Sequence, residues 1–278
     1  INQILKVLFK LKNFRQKVIK AKKSLGQNFL IDNNIISKIL DVVDIQNKDI
    51  LEIGPGTGNL TAKILKKKPR RLLVIEKDNQ LAEILKNNFN NTIEIINNDI
   101  LNIDENLLNY NRLIVFGNLP YNISTEILSK WILNIKKKIW FEYLILMFQK
   151  EVADRIIAKF NSKDYGRLSI LSNWMLDIKK ICDVKPACFL PKPRVDSSVL
   201  LFKPKKKFLK FKDPKNLETI TRVFFMHRRK KIKKPFSQLF GSRIEIASKL
   251  KIDLNLRPQN LDLETYFKIV NEYEKLRS

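Results

Sequence analysis

The sequence has few of the residues that build metal centres and nucleophilic triads. Two cysteines, Cys182 and Cys188, and one histidine, His227, occur in 278 residues. The cysteines do not belong to a cluster with metal-ligand spacing, and a single histidine leaves neither a zinc set nor a Ser/His/Asp triad. We therefore expect no metal ion, and the default location is a reducing, cytoplasmic one.

Long apolar runs and glycine are also scarce. No stretch reaches the roughly 18 apolar residues that a membrane-spanning helix needs. Only 7 glycines argue against a low-complexity chain, and a hydrophobic content of 44% supports a real core. The length suits one large domain with a small one, or two modest domains.

Acidic residues are outnumbered, with 28 Asp and Glu against 54 Lys and Arg, which gives a formal net charge of +26. Such an excess indicates a polyanionic partner, most simply nucleic acid, and a basic membrane-surface protein is the competing interpretation. Residues 1–23 contain no acidic residue. We interpret residues 1–22 as a loosely helical basic arm.

Short apolar runs alternate with helical patterns from residue 50 onward. Strands are predicted near 50–53, 72–75, 93–96, 113–115 and 143–147, with helices between them. This alternation predicts an α/β fold with a doubly wound, mostly parallel sheet, whose ligands lie at the carboxyl ends of the strands. A helix is predicted over 33–43, ahead of the first of these strands.

The rest of the chain suggests a second, smaller domain. Helices are predicted at 151–160 and 167–176, and two strands, 178–184 and 195–202, flank a proline-rich bend. The lysine run 203–212 is interpreted as a linker. We therefore expect an α/β domain over 23–203 and a small helical, basic domain over 204–278.

The glycine-rich turn after the first strand suggests a cofactor site. Gly54, Gly56 and Gly58 do not match the dinucleotide spacing G-x-G-x-x-G. Glu76 closes the next strand, where a carboxylate can accept from both ribose hydroxyls, and Asp99 could accept from an adenine amino group. A ligand with an adenosine and no phosphates fits this row of carboxylates. S-adenosylmethionine is therefore the predicted ligand, and NAD is the alternative.

A second motif follows the fourth strand, where Asn118, Leu119, Pro120 and Tyr121 stand in sequence. The exocyclic amine of adenine is a poor nucleophile because its lone pair is delocalised into the ring. The Asn118 amide oxygen and a backbone carbonyl near Leu119 could accept its two N–H bonds, while Tyr121 stacks on the base. The alternative is a strand-to-helix turn in which Asn and Pro only shape the backbone.

Taken together, these motifs place the chain close to a known family. The matching segments are Gly26–Leu30, Glu52–Gly58, Phe116–Thr125, Gln149–Val152, Tyr165–Ser169, Phe189–Ser197 and Arg228–Lys230. In this order they resemble the ribosomal RNA adenine N6,N6-dimethyltransferases, closest to the small-subunit type. The resemblance runs from about Lys23 to about Pro235.

The resemblance implies a Rossmann-like, class I S-adenosylmethionine-dependent methyltransferase sheet with a small helical C-terminal domain. The cofactor-binding residues that we predict are Asn28, Leu30, Gly54, Gly56, Glu76, Asp99 and Asn118. The segment Asn118–Tyr121 would hold the target adenine, and Phe189 would close the base pocket from the opposite side. The implied substrate is a pair of adjacent adenosines in the hairpin loop near the 3′ end of small-subunit rRNA, and a monomer is the default.

A basic cluster in the C-terminal region is the predicted RNA-binding surface. Its members are Arg222, Arg228, Arg229, Lys230, Lys231, Lys233 and Lys234. Apolar residues such as Phe224, Ile232 and Phe236 are interleaved with them, which indicates a packed helical element that presents its charges on one face. A solvated basic surface is the alternative.

Three other functions fit part of the sequence. A large-subunit rRNA adenine methylase shares most motifs, although Arg228–Lys230 and the basic helix after it favour the small-subunit type. A DNA adenine methylase would usually carry Pro-Pro in place of Leu119-Pro120. A ribosome-assembly or RNA-binding factor, for which methylation is secondary, would fit the basic excess equally well.

Overall fold

The structure, a computed structural model, describes residues 21–105, 108, 112–135 and 139–277. The basic arm predicted for residues 1–22 lies outside this range except for its last two residues. The chain divides into two compact units. The first comprises 1–127, 136–153 and 179–203, and the second comprises 128–135, 154–178 and 204–278. The predicted domain limits, after residues 22 and 203, stay predictions.

The described elements alternate as the sequence pattern predicts. The strands are β1 (Phe29–Leu30), β2 (Asp49–Ile53), β3 (Arg71–Ile75), β4 (Glu94–Ile96), β5 (Leu113–Asn118), β6 (Phe141–Gln149), β7 (Leu176–Val184), β8 (Phe189–Leu190) and β9 (Ser197–Pro204). The helices are α1 (Asn33–Leu40), α2 (Asn59–Lys66), α3 (Asn79–Phe89), α4 (Ser124–Leu133), α5 (Lys150–Ile156), α6 (Arg167–Met175), α7 (Lys215–Phe225), α8 (Lys233–Phe240), α9 (Glu245–Lys249) and α10 (Leu263–Lys275). Helices α1 and α5 end three and four residues earlier than predicted, whereas β5 continues to Asn118.

A seven-stranded sheet has the order β4-β3-β2-β5-β6-β9-β7. The five strands β4, β3, β2, β5 and β6 run parallel to one another, and β9 is antiparallel to β6. The predicted α/β class with a mostly parallel sheet is confirmed. The chain winds outward from β2 through β3 to β4 and then returns to β5 beside β2, so the strand order reverses between β2 and β5. Ligands of such sheets bind outside the carboxyl ends of the strands at this point.

The central strands are apolar because helices cover both faces of a parallel sheet. All residues of β2 are buried, and so are those of β5 up to Gly117. Gly58, whose φ is 82°, is the N-cap that precedes helix α2. A Cβ atom there would lie 2.6 Å from the Phe89 ring at the end of α3. Glycine therefore allows both the left-handed turn and the close approach of α3.

The second unit has an aromatic core. Phe224, Phe236, Tyr266 and Tyr273 are buried, and the ring centroids of Phe224 and Tyr266 are 5.6 Å apart. The apolar residues of α7 and α8 thus lie inside, as the interleaved pattern predicts. No described helix has the length and apolar character that crossing a bilayer requires.

The lysine run 203–212, interpreted from the sequence as a linker, is packed against the second unit over most of its length. Strand β9 continues to Pro204, and the following residues pack on Trp174 of α6. The Trp174 indole N–H donates to the Leu209 carbonyl at 2.7 Å, and the Phe211 ring stacks on Trp174 with centroids 5.0 Å apart. Aromatic residues placed between the lysines therefore anchor this segment.

Candidate active site

A cavity of about 1140 Å³, including the space that opens to solvent, lies at the carboxyl edge of the sheet. Its wall is formed by the turn after β2, the residues that follow β3 and β4, the end of β5, and the segment that leads into β1. The glycine turn, Glu76, Asp99 and Asn118, which the sequence placed at four strand ends, therefore contribute to one cavity. The lining includes the predicted cofactor residues Asn28, Leu30, Gly54, Gly56, Glu76, Asp99 and Asn118.

The glycine turn brings backbone N–H groups to the cavity. The Gly54 N–H continues the ladder of β2 and donates to the Ile75 carbonyl at 2.9 Å. Gly56 has a φ of 58°, and a Cβ atom on it would lie 2.7 Å from the Phe29 ring. Only glycine lets the backbone fold this closely under Phe29.

Glu76 is the carboxylate that the turn holds. Its side chain accepts from the Gly56 N–H at 3.1 Å and from the Asp78 N–H at 2.9 Å, and the residue is 6% exposed. Burial raises the pKa of Glu76, and the two backbone hydrogen bonds offset part of this rise. A carboxylate has about four acceptor sites, so Glu76 can still accept from two hydroxyl groups of a ligand.

Asp99 follows β4 and is held from two sides. Its carboxylate accepts from the Leu101 N–H at 3.0 Å and from the Lys77 ammonium at 2.7 Å. These contacts fix the side chain at the cavity wall. They also take up part of the acceptor capacity that the predicted contact with adenine would use.

The side chain of Asn118 has a fixed orientation. Its Nδ2 donates to the Asn28 carbonyl at 2.8 Å, and Asn28 Nδ2 donates to the Gly26 carbonyl at 3.2 Å. The Asn118 Oδ1 is therefore the atom left to accept a hydrogen bond from a ligand amine. The predicted contact with the adenine amine requires a hydrogen-bond acceptor of this kind.

Leu119, Pro120 and Tyr121 continue the cavity wall beyond Asn118. The Leu119 side chain is buried, so its backbone is the part suited to contact a ligand. The Tyr121 hydroxyl lies 2.5 Å from the Ser197 hydroxyl, which fixes the ring. Burial raises the pKa of Tyr121, so the phenol stays neutral.

A second, more open cavity of about 730 Å³ adjoins the first. Both cavities are lined by Gly26, Asn28, Tyr121 and Asn122, and the second adds Lys23 and Gln149. The two spaces meet at Tyr121. A ligand in the first cavity and a planar base in the second would therefore lie on either side of the shared lining at Tyr121.

Phe189 is not placed against either cavity. It forms β8, pairs with Leu30 of β1, and is 1% exposed within the hydrophobic core. The position that closes the base pocket therefore stays a prediction for this residue. Its neighbour Leu30, a predicted cofactor residue, does line the first cavity.

The predicted RNA-binding cluster divides into free and engaged cations. Arg222, Arg229, Lys230, Lys233 and Lys234 are exposed. Arg228, by contrast, donates to the Gln259 side chain at 3.1 Å and to the Ser162 and Lys163 carbonyls. Lys231 donates to the Asn255 side chain at 2.9 Å. Arg228 therefore stabilises the second unit, and the exposed members remain the candidates for phosphate contact.

Two site features were not predicted from the sequence. Glu52, in β2, lines the first cavity and accepts from the Thr61 hydroxyl at 2.7 Å. Burial raises its pKa to about 8, and the nearby Glu76 carboxylate contributes to the rise. Glu52 therefore carries a proton at neutral pH. The sequence did offer one signal for Glu52, which is an acidic residue inside an otherwise apolar strand.

The other missed feature is how the segment 22–31, here called the strap, is held against the cavity, although its residues Asn28 and Leu30 were predicted. At its start, Lys22 and Gln27 donate to the Asp78 carboxylate at 2.7 and 2.9 Å. Burial would raise the pKa of Asp78, but these hydrogen bonds outweigh it and hold the pKa below its usual range. At its end, the Asn59 side chain donates to the Leu30 carbonyl at 2.9 Å.

These residues fit an adenosine-type cofactor without phosphates. The glycine turn folds more closely under Phe29 than a Cβ atom would allow, and Glu76 retains acceptor capacity for ribose hydroxyls. The acidic residues Glu52, Glu76 and Asp99 line the wall together with Lys77, which is paired with Asp99. Within the described ranges, no group of three or more His, Cys, Asp or Glu residues is placed to hold a metal ion.

Comparison with known sequences gives strong matches. A family model described as ribosomal RNA adenine dimethylase matches residues 18–275. The ribosomal RNA small subunit methyltransferase A of Pelagibacter ubique strain HTCC1062 is 63% identical over 259 residues, or 93% of this chain and 99% of the relative. The protein of the same name from Wolbachia pipientis wMel is 40% identical and covers 98% of this chain and 96% of its own length.

Solved structures share the fold. A dimethyladenosine transferase from Plasmodium falciparum matches with a TM-score of 0.74 and 26% identity, and covers 89% of this chain and 98% of its own. The 23S rRNA methyltransferase ErmE matches with a TM-score of 0.65 and 22% identity, over 90% of this chain and all of its own. The second likeness concerns the fold alone.

Proposed function

Because the chain belongs to the ribosomal RNA adenine dimethylase family, we propose that it transfers methyl groups from S-adenosylmethionine to N6 of two adjacent adenosines in the 3′-terminal hairpin loop of small-subunit rRNA. The observation that carries this proposal is a pair of adjoining cavities whose shared lining includes Tyr121, with Asn118 in the wall of the first. One is lined by the carboxylates that suit the cofactor, and the other is open enough for a base.

The choice of the small subunit rests on sequence, since the fold does not discriminate. The 23S rRNA enzyme has a closely similar fold at 22% identity. The 63% identical relative, in contrast, is named as a small-subunit methyltransferase. The large-subunit alternative is therefore not favoured.

S-adenosylmethionine, when bound, supplies a methyl group that its sulfonium makes electrophilic. Glu76 accepts from the ribose hydroxyls, and its neighbours Gly54 and Gly56 let the backbone approach the nucleoside closely. The negative wall formed with Asp99 attracts a cationic ligand. This wall and the strap position the cofactor next to the end of β5.

Asn118 and Leu119 act on the target amine. The Asn118 Oδ1 and the Leu119 carbonyl accept its two N–H bonds, which draws the nitrogen toward tetrahedral geometry and exposes its lone pair. Tyr121 stacks on the base with its ring fixed by Ser197. Methyl transfer would be a direct displacement, in which the N6–carbon bond forms as the carbon–sulfur bond breaks and a neutral thioether leaves. The resulting ammonium would release its proton to solvent without a strong base. Catalysis is thus mainly positioning and desolvation.

The proposal extends to the partner and the place of action. The target base must leave its stack to reach the pocket, which suits a single-stranded rRNA loop within an immature small subunit. The enzyme would act as a monomer in the cytoplasm, and its reaction would belong to small-subunit biogenesis. The exposed cations of the second unit would contact the rRNA backbone.

Isotope transfer tests the proposal directly. Small subunits purified from cells that lack the modification are incubated with methyl-labelled cofactor, and the labelled nucleoside is identified after digestion. We expect N6,N6-dimethyladenosine in small-subunit rRNA and no label in large subunits. Label in large-subunit rRNA, or binding to small subunits without transfer, would support the alternative functions instead.

A further inference from the structure

The loop 190–196, here called the rim loop, connects the surroundings of both cavities. It leaves β8 at Leu190, which pairs with Phe29 of β1, and Phe29 lines the first cavity. It enters β9 at Ser197, which lies opposite Gln149 in the sheet and contacts the Tyr121 hydroxyl. The loop therefore starts beside the cofactor cavity and ends beside the open one.

The rim loop is held at its end and stiffened along its length. The Asp196 carbonyl accepts from the Lys150 N–H at 2.9 Å, and its carboxylate accepts from the Lys185 ammonium at 2.6 Å. Pro191 and Pro193 restrict the backbone between these anchors. Its exposed side chains therefore project from a defined support.

Those side chains combine apolar and cationic character. Leu190 is 62% exposed and Val195 is 45% exposed. Lys192 and Arg194 are also exposed, and neither forms an ion pair with a carboxylate of the described residues. In a chain with a net charge of +26, a mixed surface of this kind suits a polyanion that also presents flat apolar faces.

We propose that the rim loop contacts the rRNA nucleotides that flank the target adenosine and holds the loop open. Leu190 and Val195 pack against the flanking bases, and Lys192 and Arg194 contact the adjacent phosphates. Taking a base out of its stack is unfavourable, and apolar side chains inserted between bases offset this cost. This inference rests on the proposed function.

The test uses the full-length enzyme and undermethylated small subunits. Leu190→Ser with Val195→Ser removes the apolar pair, and Leu209→Ser with Ile244→Ser is the matched control, because those residues are 42% and 51% exposed in the second unit. Single-turnover methyl transfer, subunit affinity, cofactor affinity and melting temperature are measured for each. A third variant, Lys192→Ala with Arg194→Ala, is compared for the salt dependence of binding.

We expect the rim-loop serine variant to transfer methyl at least tenfold more slowly than the control, with cofactor affinity and melting temperature unchanged. The alanine variant should lower the salt slope by about 0.7 to 0.9 for each lost phosphate contact. The inference is overturned if the serine variant matches the control, if it loses cofactor binding or melts early, or if the salt slope is unchanged. Loss of subunit binding with full binding to extracted rRNA would indicate a protein contact instead and overturn it too. A wild-type enzyme that transfers no methyl would refute the proposed function itself.

Discussion

Glu76 and Glu52 are two buried carboxylates on one cavity wall, and their surroundings assign them different states. Glu76 accepts two backbone N–H bonds, which suit a charged group, whereas Glu52 accepts from the single hydroxyl of Thr61. Burial raises the pKa of both, for Glu52 to about 8. The wall therefore has one carboxylate prepared to bind hydroxyl groups and one that is neutral at physiological pH.

Replacing Glu76 with Ala should weaken S-adenosylmethionine binding by about 1.5–3 kcal/mol, the usual cost of losing hydrogen bonds to a charged group. Calorimetric titration measures the loss. Glu83→Ala, at an exposed position of α3, is the control and should bind like the wild type. Wild-type affinity in the Glu76 variant would contradict the assignment of the ribose site.

Glu52 should make folding stability depend on pH. Between its ordinary pKa of 4.5 and its folded value of about 8, the unfolded chain is charged at this residue while the folded chain keeps the proton. The contribution of Glu52 to the free energy of unfolding is therefore highest below pH 4.5, and it falls as the pH rises from 4.5 to about 8. Urea unfolding from pH 5 to 8 should show a decline in the wild type that Glu52→Gln removes. Parallel curves for the two proteins would mean that Glu52 is ionised when folded.

Asn118→Ala should lower methyl transfer by about 100-fold or more, because it removes an acceptor that positions the amine in the transition state. Subunit and cofactor affinities should change little. Tyr121→Phe is the contrasting variant, since it keeps the stacking ring and loses only the contact with Ser197. Single-turnover rates compare the two, and normal turnover by Asn118→Ala would refute the proposed hold on the amine.

Among the elements, the strap is tied to more distant parts of the chain than its sequence suggests. Lys22 and Gln27 bind Asp78, and Asp78 in turn donates its N–H to Glu76. The start of the strap is therefore linked to the ribose site through one residue. Disturbing this tie should affect cofactor binding without touching the cofactor wall.

Lys22→Ala should weaken S-adenosylmethionine binding several-fold, because it releases one of the two side chains that tie the strap to Asp78. The Lys22 side chain is 43% exposed, so solvent screening limits the effect. Lys67→Ala is the control, because it removes a lysine of similar exposure, 46%, from an ion pair with Asp41 that does not involve the strap. Equal affinities in the two variants would show that the strap does not depend on this tie.

The elements that the sequence predicted are those with local signals. Strands β2, β3 and β5 are short apolar runs next to Gly, Glu and Asn, so their ends and the residues of the site could be placed in advance. The contacts that hold the strap could not be predicted, because Lys22 and Asp78 are 56 positions apart and no local pattern pairs them. For the same reason the packing of the segment 203–212 on Trp174 could not be predicted. Strand pairing with Leu30 places Phe189 in the core, which no local signal showed, and its predicted role in closing the base pocket stays a prediction.

At the scale of the whole molecule, the net charge of +26 is the dominant property, and its distribution determines which cations can serve RNA. Arg228 is engaged within the second unit, whereas Arg229 and Lys230 are exposed on the turn between α7 and α8. Substituting Arg228 would therefore disturb folding as well as binding. Only the exposed pair gives a clear test of the docking surface.

Arg229→Glu with Lys230→Glu should weaken small-subunit binding severely and reduce its salt dependence, while cofactor affinity stays unchanged. Each lost phosphate contact lowers the slope of log affinity against log salt by about 0.7 to 0.9. Lys66→Glu with Lys86→Glu changes the net charge equally, at exposed positions of the first unit. Similar salt slopes for the two variants would mean that total charge, and not this turn, governs docking.

The ties of the strap also imply an order of folding. The Asn28 carbonyl is bound by Asn118, 90 positions later, and loops this long close slowly. During synthesis, residues 22–31 leave the ribosome well before β5 exists. They must therefore wait without their partners while the parallel strands assemble. We expect the earliest-made part of the cavity to dock last, so that the ability to bind the cofactor appears only when the sheet is complete.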